Sequence, residues 1–319
     1  MDSCCKQAFS LTEELHCPRC NLEAPALLVI RRFIDNKLFD NKLCPLNFAT
    51  RVLSVAPPKP ICRPAAEEGG RTMKRILALF YGMACYLIFL ATFLYAIWFI
   101  WKLDAVHAAT PWPRSLLINT SLLALFAVQH SVMARQWFKR VWARLVPPPI
   151  ERSTYVLAAS AALLLLFHLW QPLPTRVWKV ESVAGRSIVH ALFVIGWGIA
   201  LISTFLIDHF DLLGLKQVWT YWCGRTYLAP AFQTPGLYKW VRHPLYVGFI
   251  LAFWSTPDMT VGHLYFAVMC TAYILVAIQF EEHDLITFHG DAYRVYRSGV
   301  SMLTPWPKKK KLPALDARN

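Results

Sequence analysis

Hydrophobic and polar positions along this chain fall into blocks, with six apolar runs separated by short polar connections. The runs cover residues 76–101, 115–133, 153–170, 188–207, 244–256 and 260–280. A helix rises ~1.5 Å per residue, so about 20 apolar residues cross a hydrocarbon layer roughly 30 Å thick. Five of the runs meet that requirement. The fifth in order, 244–256, is short: it reaches spanning length only if Leu237–Val241 extend it, or it is re-entrant. The turn-like sequence Ser255-Thr256-Pro257-Asp258 divides it from the sixth run, and the pair reads as a helical hairpin that goes out and comes back. The pattern predicts an all-α, polytopic membrane bundle ending in a C-terminal hairpin.

Composition agrees. Of 319 residues, 56% are hydrophobic and only 16% charged, against roughly 25% charged in ordinary soluble domains. The charges that exist are distributed by side. Arg71, Lys74 and Arg75 precede the first run; Arg135, Lys139, Arg140, Arg144 and Arg152 fill the second loop; Lys216, Arg225, Lys239 and Arg242 the fourth; Arg294, Arg297 and Lys308–Lys311 the tail. The alternate loops are poorer, and the hairpin apex has no Lys or Arg. The positive-inside rule then puts both termini in the cytoplasm. The net charge of +14 fits this topology and contact with anionic lipid better than nucleic-acid binding. The sequence leaves the oligomeric state open.

Residues 1–72 read differently. They hold six of the nine cysteines, Cys4, Cys5, Cys17, Cys20, Cys44 and Cys62, with no clear periodicity. The single C-x-x-C in His16-Cys17-Pro18-Arg19-Cys20 lacks a well-spaced second pair, so a poorly ordered extension is expected rather than a zinc knuckle, and no metal is expected in the protein. Met73-Lys74-Arg75, just before the first run, resembles an alternative start. The organisation expected is an extension at 1–72, a membrane domain at 73–305 and a basic tail at 306–319. Cys85, Cys223 and Cys270 read as small core residues.

Candidate chemistry collects at the feet of the hairpin. Arg242-His243-Pro244-Leu245-Tyr246-Val247-Gly248 opens it, and Glu281-Glu282 closes it. If both runs are helices, two cationic or imidazole side chains and two carboxylates meet at one membrane face. Ionisable groups beside lipid are costly, which marks them as functional candidates. Pro244 suits a first helical turn, where its missing N–H costs nothing, and a helix N-terminus there attracts anions. Beyond Glu282 the helix is expected to continue to a stop or bend at Gly290, after which Tyr293 and Tyr296 recur three residues apart and can flank a flat heterocycle. His130, closing the second run, and Asp208, after the fourth, lie on the same side. His168 and His190 lie on the opposite one. No phosphate-cradling G-x-x-x-x-G-K-[ST], no H-E-x-x-H and no G-x-G-x-x-G after a strand occurs.

The segment 242–296 resembles the C-terminal signature of the isoprenylcysteine carboxyl methyltransferase and phospholipid methyltransferase superfamily, R-H-P-x-Y-x-G, a hairpin, then E-E-x-x-L-x-x-x-F-G-x-x-Y-x-x-Y. It stands here as Arg242, His243, Pro244, Tyr246, Gly248, Glu281, Glu282, Leu285, Gly290, Tyr293 and Tyr296, with His289 in place of the Phe before the glycine. His130-Ser131-Val132-Met133-Ala134, Trp170-Gln171-Pro172-Leu173-Pro174 and Phe210–Val218 resemble a narrower branch, the nurim family, which includes bacterial methanethiol S-methyltransferases. The likeness covers roughly 75–305. It implies a cofactor, S-adenosyl-L-methionine, held by the hairpin and a cytoplasmic tail, and a small thiol as the acceptor. The roles it implies put Arg242 and His243 on the cofactor carboxylate or the thiolate, and Glu281 and Glu282 on ribose, amino group or sulfonium. Tyr246, Tyr293 and Tyr296 would wall the adenosine, with His130 and Asp208 on the acceptor side. Arg242, Glu281 and His130 are the catalytic candidates. A methyltransferase for a larger lipid or prenylated thiol, and a non-enzymatic nurim-like membrane protein, are the alternatives.

A chain started at Met73 is expected to insert in membranes and keep its activity. Expressing it beside the full-length chain and comparing membrane yield and turnover checks this; loss of both would show that residues 1–72 form part of the working protein.

Overall fold

Why the helices begin where they do is visible in their first residues. The computed structural model describes residues 65–103 and 111–305, with side chains from Gly70 onward. Residues 1–64, with the six N-terminal cysteines, and the tail from 306 lie outside them, as do the expectations made for those segments. Helix α1 spans Ala65–Lys102. Helices α2 (Trp112–Ala134), α3 (Gln136–Trp142) and α4 (Pro148–Leu169) follow. Both α2 and α4 carry proline in the first turn, where no intrahelical N–H is needed. Strand β1 (Arg176–Lys179) precedes helix α5 (Val183–Ile207), which is capped by the Ser182 hydroxyl accepting from the Gly185 N–H. Short helices α6 (His209–Leu212) and α7 (Leu215–Trp222) and a 3-10 turn at Gly236–Lys239 lead to α8 (Pro244–Trp254). Strand β2 (Asp258–Thr260), α9 (Val261–His289) and α10 (Asp291–Gly299) complete the order.

The chain is an all-α, multi-pass membrane bundle. Five helices, α1, α2, α4, α5 and α9, are long and apolar enough to cross a membrane. Their outward faces carry exposed Leu77, Phe80, Leu117, Val128, Val194 and Val276, as lipid-facing surfaces require. Inside, Phe99, Phe167, Trp170, Trp197, Phe253 and Phe266 form a continuous aromatic and aliphatic core.

Helix α8 is the exception the sequence flagged. Its 11 residues measure about 16 Å. Leu237–Lys239 do not extend it. They form the separate 3-10 turn, which Gly236 enters with φ +51°, and Val241–His243 lead into the helix as non-helical chain with a bend at Arg242. At the apex, the expected simple turn is elaborated: β2 pairs antiparallel with β1, Arg176 opposite Thr260 and Lys179 opposite Asp258. Gly262 N–H donates to Leu173 C=O at 2.9 Å, and Arg186 meets Asp258 at 2.8 Å. This ties the hairpin tip to the α4–α5 connection. Two short strands from segments some 80 residues apart leave no periodic signal.

What holds α8 in place is its crossing with α5. Gly196 and Ala200 on α5 face Gly248 and Ala252 on α8. A Cβ on Gly248 would lie 2.5 Å from the Ala200 nitrogen and 2.6 Å from the Gly196 oxygen, and one on Gly196 2.6 Å from the Ala252 nitrogen. Ala200 and Ala252 are fully buried. This is small-xxx-small packing, where the backbones themselves touch and dispersion acts at short range. The α1 and α4 helices pack with each other and with α7, and α2 packs on α4. The last contact is pinned by Asn119, whose amide exchanges two 2.8 Å hydrogen bonds with the Gln171 backbone.

Gly248→Val is expected to destabilise the protein by at least about 1–3 kcal/mol, because neither backbone can retreat. Thermal unfolding in detergent, followed by tryptophan fluorescence, measures this, with Gly198→Ala as the control at a glycine with open space around it.

Candidate functional site

One buried carboxylate organises the foot of the hairpin. Glu282, near the end of α9, is 2% exposed. Its Oε1 accepts from Arg242 Nε at 2.7 Å and lies 3.2 Å from His243 Nε2; its Oε2 is 2.9 Å from Arg297 Nε on α10. A carboxylate out of water is tolerated only with such partners. Arg242, itself 7% exposed, also donates through Nη1 to the carbonyls of Arg297 and Val300, at 2.9 and 2.7 Å. These are carbonyls at the C-terminal end of α10, which have no intrahelical partner and favour a cation. Arg242 N–H and His243 N–H donate to Ser301 and Met302 C=O, and Val241 and Ser301 form a parallel bridge. The chain returns from Gly290, whose φ of +57° makes the expected bend, and docks along the approach to α8.

Glu281, beside it, is set differently. Its side chain is 43% exposed, and its Oε2 accepts from Tyr246 Oη at 2.8 Å and lies 3.8 Å from His243 Nδ1. The two adjacent carboxylates thus divide into a buried structural partner and an accessible one. On the other flank, Tyr293 (2% exposed) and Tyr296 form an aromatic group with Phe232, ring centroids 5.6–5.8 Å apart. Burial holds the Tyr293 hydroxyl well above its usual pKa, reinforced by the Glu282 and Glu281 charges, and pushes Tyr296 up to about 12. Both stay protonated donors. Tyr296 gives its proton to Tyr238 C=O at 2.6 Å, whereas Tyr293 Oη is buried with no hydrogen-bond partner among the described residues.

The structure therefore gathers Arg242, His243, Tyr246, Glu281, Glu282, Tyr293 and Tyr296 at one foot. His130 is on α2 at the same end, its ring 3.0 Å from Tyr155 Oη. Asp208 is engaged elsewhere: it caps α6 through Asp211 N–H and pairs with Lys216 at 2.6 Å. Sequence reasoning missed Arg297, counted only as a tail charge; Phe232, in a segment without regular structure; and Tyr155 and Tyr273, which look like ordinary core positions.

Fold and foot together define a multi-pass helical membrane protein with its polar chemistry gathered at one end of the bundle. A methanethiol S-methyltransferase of Mycobacterium tuberculosis is 54% identical over 242 residues, covering 74% of this chain and 99% of the relative. One from Crocosphaera subtropica is 49% identical, covering 75% and 95%. Nurim of Danio rerio is 31% identical over 54% of this chain and 65% of its own length. No family model and no solved structure matches. The chain belongs to the methanethiol S-methyltransferase family.

Replacing Glu282 by Ala leaves the buried Arg242 guanidinium without its carboxylate and should cost about 3–5 kcal/mol of stability, as expected on breaking a buried pair. Glu281→Ala, at a half-exposed position, should cost far less. Chemical denaturation of the two purified variants beside wild type gives the comparison; equal losses would mean that the two carboxylates are not divided in role.

Proposed function

We propose that this chain methylates methanethiol to dimethyl sulfide, with S-adenosyl-L-methionine as methyl donor and the donor site on the cytoplasmic side. The observation that carries the reading is 54% identity across 99% of a methanethiol S-methyltransferase, together with a foot whose side chains suit both reactants. The residues fit the donor. Accessible Glu281 suits its cationic groups, Arg297, 46% exposed, suits its carboxylate, and the unpartnered Tyr293 hydroxyl within an aromatic group suits a ribose or purine edge. When bound, the donor supplies an electrophilic methyl carbon on a sulfonium.

The chain's own contribution is to align the two sulfur atoms and to accept a proton. The thiolate is the reactive form of a thiol. Glu281 takes the thiol proton, directly or through the Tyr246 hydroxyl that it already holds. The thiolate sulfur then bonds to the methyl carbon while the electron pair of the donor's carbon–sulfur bond stays on the donor, leaving S-adenosylhomocysteine. The proton leaves Glu281 for cytoplasmic water. Arg242 and Glu282 act one step back: with His243 they fix the return of α10, and so place Tyr293, Tyr296 and Arg297. His130, held by Tyr155, stands on the acceptor side. A reading as a larger-lipid methyltransferase or a non-enzymatic membrane protein has less support, since the nearer-length relatives carry the small-thiol name and Arg242, His243, Glu281 and Glu282 are all present.

Membranes containing the chain, given S-adenosylmethionine and methanethiol, should release dimethyl sulfide detectable by headspace gas analysis; none released would remove the reading. Calorimetric titration with S-adenosylhomocysteine should show Glu281→Ala and Arg297→Ala each binding about 1.5–3 kcal/mol more weakly, as for a lost charged hydrogen bond, with Tyr265→Phe unchanged. For topology, reagents confined to the cytoplasm should label a cysteine placed at Lys308; labelling only from the outside would reverse the orientation.

A further inference from the structure

Three tyrosines, from α8, α4 and α9, lie at the end of the bundle that carries Glu281. Tyr246, on α8, donates to the Glu281 carboxylate at 2.8 Å. Tyr155, near the start of α4, places its hydroxyl 3.0 Å from the His130 ring. Tyr273, on α9 two turns before Glu281, places its hydroxyl 3.1 Å from Ser131 Oγ. Phe126 closes the group, its ring 5.3 Å from His130 and 6.2 Å from Tyr273. His130 and Ser131 are consecutive on α2, so the hydroxyls of Tyr155 and Tyr273 meet adjacent residues.

Each of the two outer tyrosines is locked. Tyr155 lies beneath the Arg152 guanidinium, 5.8 Å from its ring centre, and against His130 at 5.2 Å. Tyr273 is fixed by Ser131, the residue next to His130. A turn further along, Arg135 pairs with Asp284 at 3.0 Å and lies over the Phe280 ring, which ties the end of α2 to α9. Rings held at both hydroxyl and face do not swing aside for a longer ligand. They act as a fixed wall, and hydrocarbon that would occupy their volume is excluded by packing.

We infer that Tyr155 and Tyr273, held by His130 and Ser131, wall the acceptor side of Glu281 and limit the accepted thiol to one carrying a very short alkyl group. The inference rests on the thiol-methylation reading above and assigns the side chains that set its size limit. His130 is on this account a positioning residue, which acts by orienting Tyr155.

The test is a ratio: kcat/KM for 1-propanethiol over that for methanethiol, measured on purified protein with S-adenosylmethionine. Wild type should strongly favour methanethiol. Tyr155→Ala and Tyr273→Ala should each raise the ratio at least about 10-fold, the scale on which a pocket resolves single methylene groups. Tyr155→Phe keeps the ring but loses its bond to His130 and should raise the ratio less than Tyr155→Ala, whereas Tyr265→Phe, which is earlier on α9 and bonded to Thr120, should leave it near wild type. If an alanine variant fails to accumulate, Tyr155→Leu and Tyr273→Leu decide by the same ratio. Unchanged ratios in variants that still turn over methanethiol overturn the inference while leaving the function standing. So does loss of turnover with every thiol in well-folded variants, because a size wall predicts altered preference and not a dead enzyme. A wild-type protein that methylates no thiol overturns the function, and this inference with it.

Discussion

A single carboxylate kept out of water, Glu282, is the constraint around which the C-terminal half is arranged. It demands cations, and they come from two places in the chain: Arg242 at the entrance to α8 and Arg297 near the end of α10. Meeting that demand brings the last helix back against the first foot of the hairpin. Arg242 then does a second task with the same guanidinium, satisfying carbonyls at the α10 end. The arrangement is one interlocked unit, so its members will not respond to mutation independently. It leaves the adjacent Glu281, by contrast, accessible and bonded only at one edge.

Placement in depth follows from the long helix. From Val261 to Glu282, α9 rises about 32 Å, close to one hydrocarbon thickness. The carboxylates therefore arrive where lipid gives way to water, if the hairpin tip lies at the opposite surface. The short α8 reaches the same level through non-helical backbone at Val241–His243. Non-helical backbone at such depth must find its hydrogen bonds within the protein; Ser301 and Met302 provide them. The close α5–α8 crossing at Gly196 and Gly248 supplies the lateral support.

Much of this was legible beforehand, for physical reasons. Apolar runs reveal long helices because lipid imposes length and composition together, and all five long spans fall where the runs lie. Arg242, His243, Glu281 and Glu282 stood out because charge beside lipid is costly, and Pro244 and Gly290 marked a helix start and a bend that the backbone shows. The partners were less legible. Nothing in the spacing of Arg297 distinguishes a cation paired with a buried carboxylate from a topological charge. The pairing of Val241 with Ser301, or of Arg176 with Thr260, involves too few residues to make a period. Tyr155 and Tyr273 lie in apolar runs where a tyrosine reads as packing; only the approach of α2, α4 and α9 gives their hydroxyls partners.

The bridge between Val241 and Ser301 also has a bearing on biosynthesis. A nascent chain emerges from its N-terminus, and the bundle of α1, α2, α4 and α5 can enter the bilayer in that order. The approach to α8, though, lacks its backbone acceptors until residues 301 and 302 have left the ribosome, some 60 residues after Arg242 was made. Throughout that interval Arg242, His243 and then Glu282 wait without their final partners. Assembly of the foot thus comes late, and a ribosome stalled before Ser301 holds a membrane-inserted chain with no formed site.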